Sequence, residues 1–164
     1  MLRNAALLAL LSGAITFTTL DLGRAQSSPP PQAAQPYRPS LADLMTAAIQ
    51  PRHIKLGLAG QEKNWPLAAY QLGNLKGAFA RTAQAWPTYR TTDMADLIEA
   101  TTKAPMEAVA SAIKTGDPSK FNEAYGQLTE TCNACHLSTD HALVVMQVPK
   151  ASPFPDQDFR PVKP

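Results

Sequence analysis

Phe121-Asn122-Glu123-Ala124-Tyr125-Gly126-Gln127-Leu128-Thr129-Glu130-Thr131-Cys132-Asn133-Ala134-Cys135-His136 is the stretch on which the fold turns. Its apolar and sulfur-bearing side chains fall at Phe121, Tyr125, Leu128, Cys132 and Cys135, in alternating steps of four and three. Residues at those separations share one face of an α-helix, so the spacing predicts a helix with a single buried stripe. Thr139 continues the stripe, and the helix is expected to run to about Met146. Gly116-Asp117-Pro118 supplies its start, since glycine ends the preceding helix, aspartate caps the new one and proline suits a first turn.

Three more helices are expected upstream. Ser40 is a good N-cap for the first. Leu41, Leu44, Met45, Ala48, Ile49 and Arg52 follow at helical spacing, and the pattern continues through Ile54 and Leu56 to Gly57 and Gly60, which should end it. Pro51 should kink this helix, because its ring clashes with the preceding turn. The second opens at Asn64 with Pro66 in its first turn, buries Leu72, Leu75, Phe79, Ala83 and Trp86, and stops at Pro87. Asp93 caps a third that carries Met94, Leu97, Ile98, Met106, Val109 and Ile113, with Pro105 expected to kink or split it. No strand and no internal repeat is expected. Short connections between four helices favour an all-α, antiparallel up-and-down four-helix bundle.

The chain has 164 residues, 15 prolines and two cysteines. Residues 1–25 are expected to be a signal peptide: Arg3 gives a positive start, Ala5 to Leu11 an apolar run, and Gly23-Arg24-Ala25 a small-x-small cleavage site. The apolar stretch is too short and broken for a comfortable span, which needs about 20 apolar residues, so no stable membrane span is expected after cleavage near Ala25. Its loss takes the basic count from 15 to 13 and the acidic count from 13 to 12, a formal net charge of +1. Neither a nucleic-acid-binding patch nor a charged tail is implied. Residues 26–39 hold five prolines and read as a flexible leader, residues 40–148 as the helical domain, and residues 149–164 as an extended Pro-rich tail.

Cys132-Asn133-Ala134-Cys135-His136 is the Cys-x-x-Cys-His signature of covalent haem attachment. Two thiols add to the vinyl groups on one porphyrin edge, and the adjacent imidazole reaches the iron from one face. Cys132 and His136 are four apart and share a helix face, so the expected haem c, one per chain, lies in the core near the C-terminal helix. A dithiol redox pair would want a strand–helix setting that this sequence lacks. Zinc would want further ligands, and the other histidines are only His53 and His141. A structural disulfide would leave His136 without a role.

A motif placed in the last of four helices resembles the class II c-type cytochromes, cytochrome c-prime and its low-spin, methionine-ligated relatives. The resemblance covers about residues 40–146 in architecture, with residue matches at Cys132, Cys135 and His136. Gln50-Pro51-Arg52-His53-Ile54-Lys55-Leu56 and Trp65-Pro66-Leu67-Ala68-Ala69-Tyr70 look like segments of a subgroup of such exported haem proteins. In this chain Thr139, Asp140 and His141 stand where cytochrome c-prime usually carries a basic residue.

The resemblance implies that His136 is the proximal iron ligand and that the first helix covers the distal face. His53 is one candidate distal ligand, with a surface or hydrogen-bonded histidine as its blander reading; Met45 is the alternative, with core packing as its own. They are eight apart, which puts them roughly 80° from each other on a regular helix, so both can line one wall while hardly sharing one iron. Met94 and Met106 are expected in the core, and His141, about 140° round from His136, in solvent. Arg52 and Lys55 are candidate propionate partners, with solvation the plainer account. Tyr70, Trp65 and Trp86 are expected to be packing rather than relay groups.

The function expected is one-electron transfer in the periplasm by an electron carrier, not an enzyme, with a redox partner protein that the sequence does not name. The alternative is a five-coordinate haem protein that binds or senses nitric oxide or carbon monoxide, and peroxidase-like chemistry with His53 and Arg52 comes third. Pairing through the first two helices would make a homodimer.

Overall fold

A computed structural model describes residues 37–163; the expected signal peptide and most of the leader lie outside them. The described chain is mostly helical. The first helix spans residues 41–61 in three pieces: an α-turn Leu41–Asp43, a π-helical stretch Leu44–Ile49 and an α-helix Gln50–Gln61. The others are Trp65–Ala85, Met94–Thr115 and Pro118–Ser138. First packs on second, second on third, third on fourth, and fourth on first. Among the described residues no helix is long and apolar enough to cross a membrane.

The caps fall where side-chain chemistry dictates. Ser40 and Asp43 exchange side-chain-to-backbone bonds as a capping box. Asn64, Asp93 and Asp117 each accept an N–H from the first turn of the helix they open. Gly116 takes φ +64, the left-handed conformation that closes a helix.

The structure refines or corrects several local expectations. The distortion before Pro51 is a π-helical turn, with the Gln50 N–H reaching back to the Met45 carbonyl. A proline cannot donate to the preceding turn, and a widened turn just before it accommodates the loss. Gly57 and Gly60 lie inside the first helix, which runs on to Gln61; they are there because the fourth helix crosses at that point. A Cβ on Gly57 would come within 2.6 Å of the Tyr125 ring, and one on Gly60 would overlap the ring of Phe121. Pro105 sits within one uninterrupted helix, and a two-residue antiparallel pair, Thr88–Tyr89 with Thr92–Asp93, joins the second and third helices.

A further correction concerns the C-terminal part of the chain. The fourth helix ends at Ser138 rather than near Met146. Asp140 takes φ 62, and residues 141–148 form a non-helical strap that folds back along the helix end. Residues 149–163 then lie against the first helix. Phe159 is buried, Lys55 Nζ sits 4.5 Å from the centre of the Phe154 ring, and Asn64 donates to the carbonyls of Phe159 and Arg160.

The core is a continuous apolar cluster that includes Leu56, Ala59, Leu72, Leu75, Met94, Val109, Phe121 and Leu128. It thins toward the end of the fourth helix that carries Cys132, Cys135 and His136, where a cavity replaces it.

Candidate functional site

Cys132 and Cys135 are free thiols in the last two turns of the fourth helix. Cys132 donates its S–H to the Leu128 carbonyl, with the sulfur at 3.3 Å from the oxygen. Burial, with the neighbouring Cys135 as a smaller cause, pushes the Cys132 thiol up to about 11, and burial also raises Cys135. Reactive cysteine pairs have depressed thiol pKa values and favour helix N-termini, where the macrodipole steadies a thiolate. This pair occupies the opposite end of a helix, so the geometry disfavours thiolate redox chemistry.

His136 Nδ1 donates to the Val144 carbonyl at 2.7 Å. That bond places a proton on Nδ1, and Nε2 has no hydrogen-bond partner among the described residues, the arrangement that an outer-shell carbonyl gives a metal-binding imidazole. The strap that supplies the carbonyl is held at several points. The His141 N–H donates to the His136 carbonyl at 2.7 Å and the Val144 N–H to the His141 carbonyl at 2.9 Å. Asn133 grips Met146 in both directions, accepting its N–H at 2.7 Å and donating to its carbonyl at 3.1 Å.

Cys132, Cys135 and His136 line a mostly apolar cavity of about 150 Å³, with about 920 Å³ of unfilled space when its open side is counted. The first helix contributes Met45, Thr46, Ile49, Gln50 and His53; Leu75, Phe79, Met94, Ile98 and Leu128 add apolar wall from the other three. Val144 and Val145 line it from the strap while standing in solvent on their other side. The five candidate residues Cys132, Cys135, His136, His53 and Met45 all line this one space. Met45 and His53 line the same wall, with the rest of the π-helical stretch between them.

His53 is 1 % exposed. Its Nε2 lies 3.0 Å from Thr129 Oγ1 and its Nδ1 3.1 Å from the Tyr125 hydroxyl, which donates to the His53 carbonyl at 2.7 Å. Both ring nitrogens thus have protein partners, and iron binding through Nε2 would require leaving Thr129. Burial without a counter-charge lowers the His53 pKa to about 4, so the ring is neutral. Met45, half-buried on the same wall, has a thioether with no polar partner to surrender.

The remaining candidates sit elsewhere. Arg52 donates to the Ala48 carbonyl and Lys55 covers Phe154; neither lines the cavity. Trp65 packs against Phe121, Tyr70 is exposed, and Trp86 donates to the Pro39 carbonyl beneath the Arg38 guanidinium. Met106 is in the core, Met94 both in the core and on the cavity wall. His141 is tied to the Thr139 carbonyl and tilts against Tyr89. Sequence reasoning missed Asn133 and the strap. The signal was an amide inside the motif followed by the polar, turn-prone Ser138-Thr139-Asp140.

Among the described residues no three His, Cys, Asp or Glu side chains gather to hold a metal ion unaided. Comparison with family models, with curated proteins and with solved structures finds no match to this chain.

Proposed function

We propose that this protein is an exported c-type cytochrome of the class II kind, an antiparallel four-helix bundle that carries one electron on a covalently attached haem. The single observation that carries the reading is that both thiols and the imidazole of Cys132-Asn133-Ala134-Cys135-His136 line one mostly apolar cavity, with His136 Nδ1 donating to the Val144 carbonyl. The cyclic order of helix contacts supports the bundle.

The donor set fits the group. Cys132 and Cys135 would hold the porphyrin edge as thioethers and His136 the iron, while the apolar walls exclude water. A single protein imidazole suffices for a metal whose equatorial ligands come from a macrocycle. When bound, the haem supplies a one-electron ferric–ferrous couple, whose potential depends on axial ligands, hydrogen bonding and burial. The chain's own part is to keep His136 in one tautomer and to surround the site with low dielectric. For the sixth position Met45 is the better candidate, since His53 already has partners at both nitrogens.

The test is expression with and without a haem-attachment system, followed by mass spectrometry and optical spectra of the reduced protein with and without carbon monoxide. One added haem per chain and a low-spin spectrum indifferent to the gas are expected. Replacing Met45 with Ala should open the site and make the spectrum respond to carbon monoxide, while His53→Gln should not. A wild-type spectrum that is high-spin and shifts with the gas would replace electron transfer with gas binding. A mass without haem would end the reading altogether.

A further inference from the structure

Asn133 occupies one of the two positions between the cysteines that the attachment chemistry itself leaves free. Its side chain is half-buried and meets the returning strap. Oδ1 accepts the Met146 N–H at 2.7 Å and Nδ2 donates to the Met146 carbonyl at 3.1 Å. A two-way amide clamp of this kind fixes both position and direction of the backbone it holds. Two residues earlier in the same strap is Val144, whose carbonyl takes the His136 Nδ1–H at 2.7 Å.

The geometry points to Asn133 as a positioning residue: by seating Met146 it holds the Val144 carbonyl where that carbonyl fixes the Nδ1–H form of His136 and presents Nε2 as the free donor. The strap is also tied by the His141 N–H to the His136 carbonyl, by the Val144 N–H to the His141 carbonyl and, beyond Met146, by Gln61 Nε2 donating to the Pro149 carbonyl. Asn133 is the side chain of the fourth helix that grips the strap two residues past Val144. The strap thereby does for His136 what an outer-shell partner does for a metal-bound imidazole generally, setting tautomer, orientation and basicity. The inference rests on the proposed role of His136 as iron ligand for its functional meaning, though not for its geometry.

The experiment has two arms. In ¹⁵N-labelled protein made without haem, long-range proton–nitrogen spectra at a pH where His136 is neutral read its tautomer. Wild type should show Nδ1–H, and Asn133→Ala should shift the tautomer ratio toward Nε2–H by about fivefold, the weight of one hydrogen bond. Asn133→Asp keeps the acceptor for the Met146 N–H and loses the donor, so it should fall between them. It also preserves shape if the alanine variant folds poorly. In haem-loaded protein, Asn133→Ala should raise the reduction potential by about 40 mV, the one-electron equivalent of that fivefold change, because the imidazole loses the electron push of the Val144 carbonyl. A tautomer ratio unchanged in both variants would overturn the positioning role. A shifted ratio in a chain that never acquires haem would keep that role and sink the haem reading instead.

Discussion

The rings of His53 and Tyr125 are stacked with centroids 4.7 Å apart, and the Tyr125 hydroxyl both meets His53 Nδ1 and donates to the His53 backbone carbonyl. This couples the π-distorted first helix to the fourth at the inner end of the cavity. Burial pushes the Tyr125 phenol far above its usual range, so it stays a donor at any working pH.

The burial of His53 in this contact makes acid stability depend on it. The unfolded chain binds a proton at His53 below about pH 6.5, whereas the folded protein refuses it until about pH 4. Between those values the unfolded state holds more protons, so stability falls as the pH is lowered and is unaffected by His53 above about 6.5. The full difference is on the order of 3 kcal/mol. Urea midpoints at pH 7 and pH 4, measured without haem, should converge in His53→Gln relative to wild type; parallel slopes would contradict the assignment.

The contact of Gly60 with Phe121 predicts opposite outcomes for two glycine-to-alanine changes. Gly60→Ala forces a methyl into the Phe121 ring and should destabilise by about 1–3 kcal/mol. Gly73, exposed in the second helix with nothing near its missing Cβ, should gain up to about 1 kcal/mol when replaced by alanine. Thermal unfolding of the two variants checks both signs.

Asn64 caps the second helix with Oδ1 and holds the tail with Nδ2. Asn64→Asp keeps the cap and loses the tail bonds; Asn64→Ala loses both. Limited proteolysis between residues 149 and 163 should speed up in both variants, while global stability should drop by about 1 kcal/mol more in the alanine variant, the worth of an N-cap. Equal protection of the tail in wild type and both variants would show that Phe159 alone anchors it.

With its pKa raised from about 9 to about 11, Cys132 should hold about 100-fold less thiolate at neutral pH than an ordinary cysteine. Alkylation of the haem-free protein by iodoacetamide should therefore be slow at pH 7 and climb steadily beyond pH 9. Fast labelling at pH 7 would revive the dithiol reading that the helix-end position disfavours.

Local signals in this chain were readable because they act over a few residues. Ser40, Asn64, Asp93, Gly116 and Asp117 mark the helix ends by their own capping chemistry. The period of Phe121, Tyr125 and Leu128 set the buried stripe of the fourth helix, with Cys132 half-buried in line with it. Gly57 and Gly60 misled for the same reason: glycine reads locally as a stop, and the aromatic ring that needs its missing Cβ comes from 60 or more residues downstream.

By itself, then, the sequence determined four helices and the placing of two thiols and an imidazole on an inward face, since periodicity and caps are encoded within a turn or two. Only the tertiary structure decided what those groups meet. His53 pairs with Thr129 across 76 residues of chain, and Asn133 with a strap that was expected to be helix. Such contacts depend on which surfaces the packed helices bring together, and no local pattern records that.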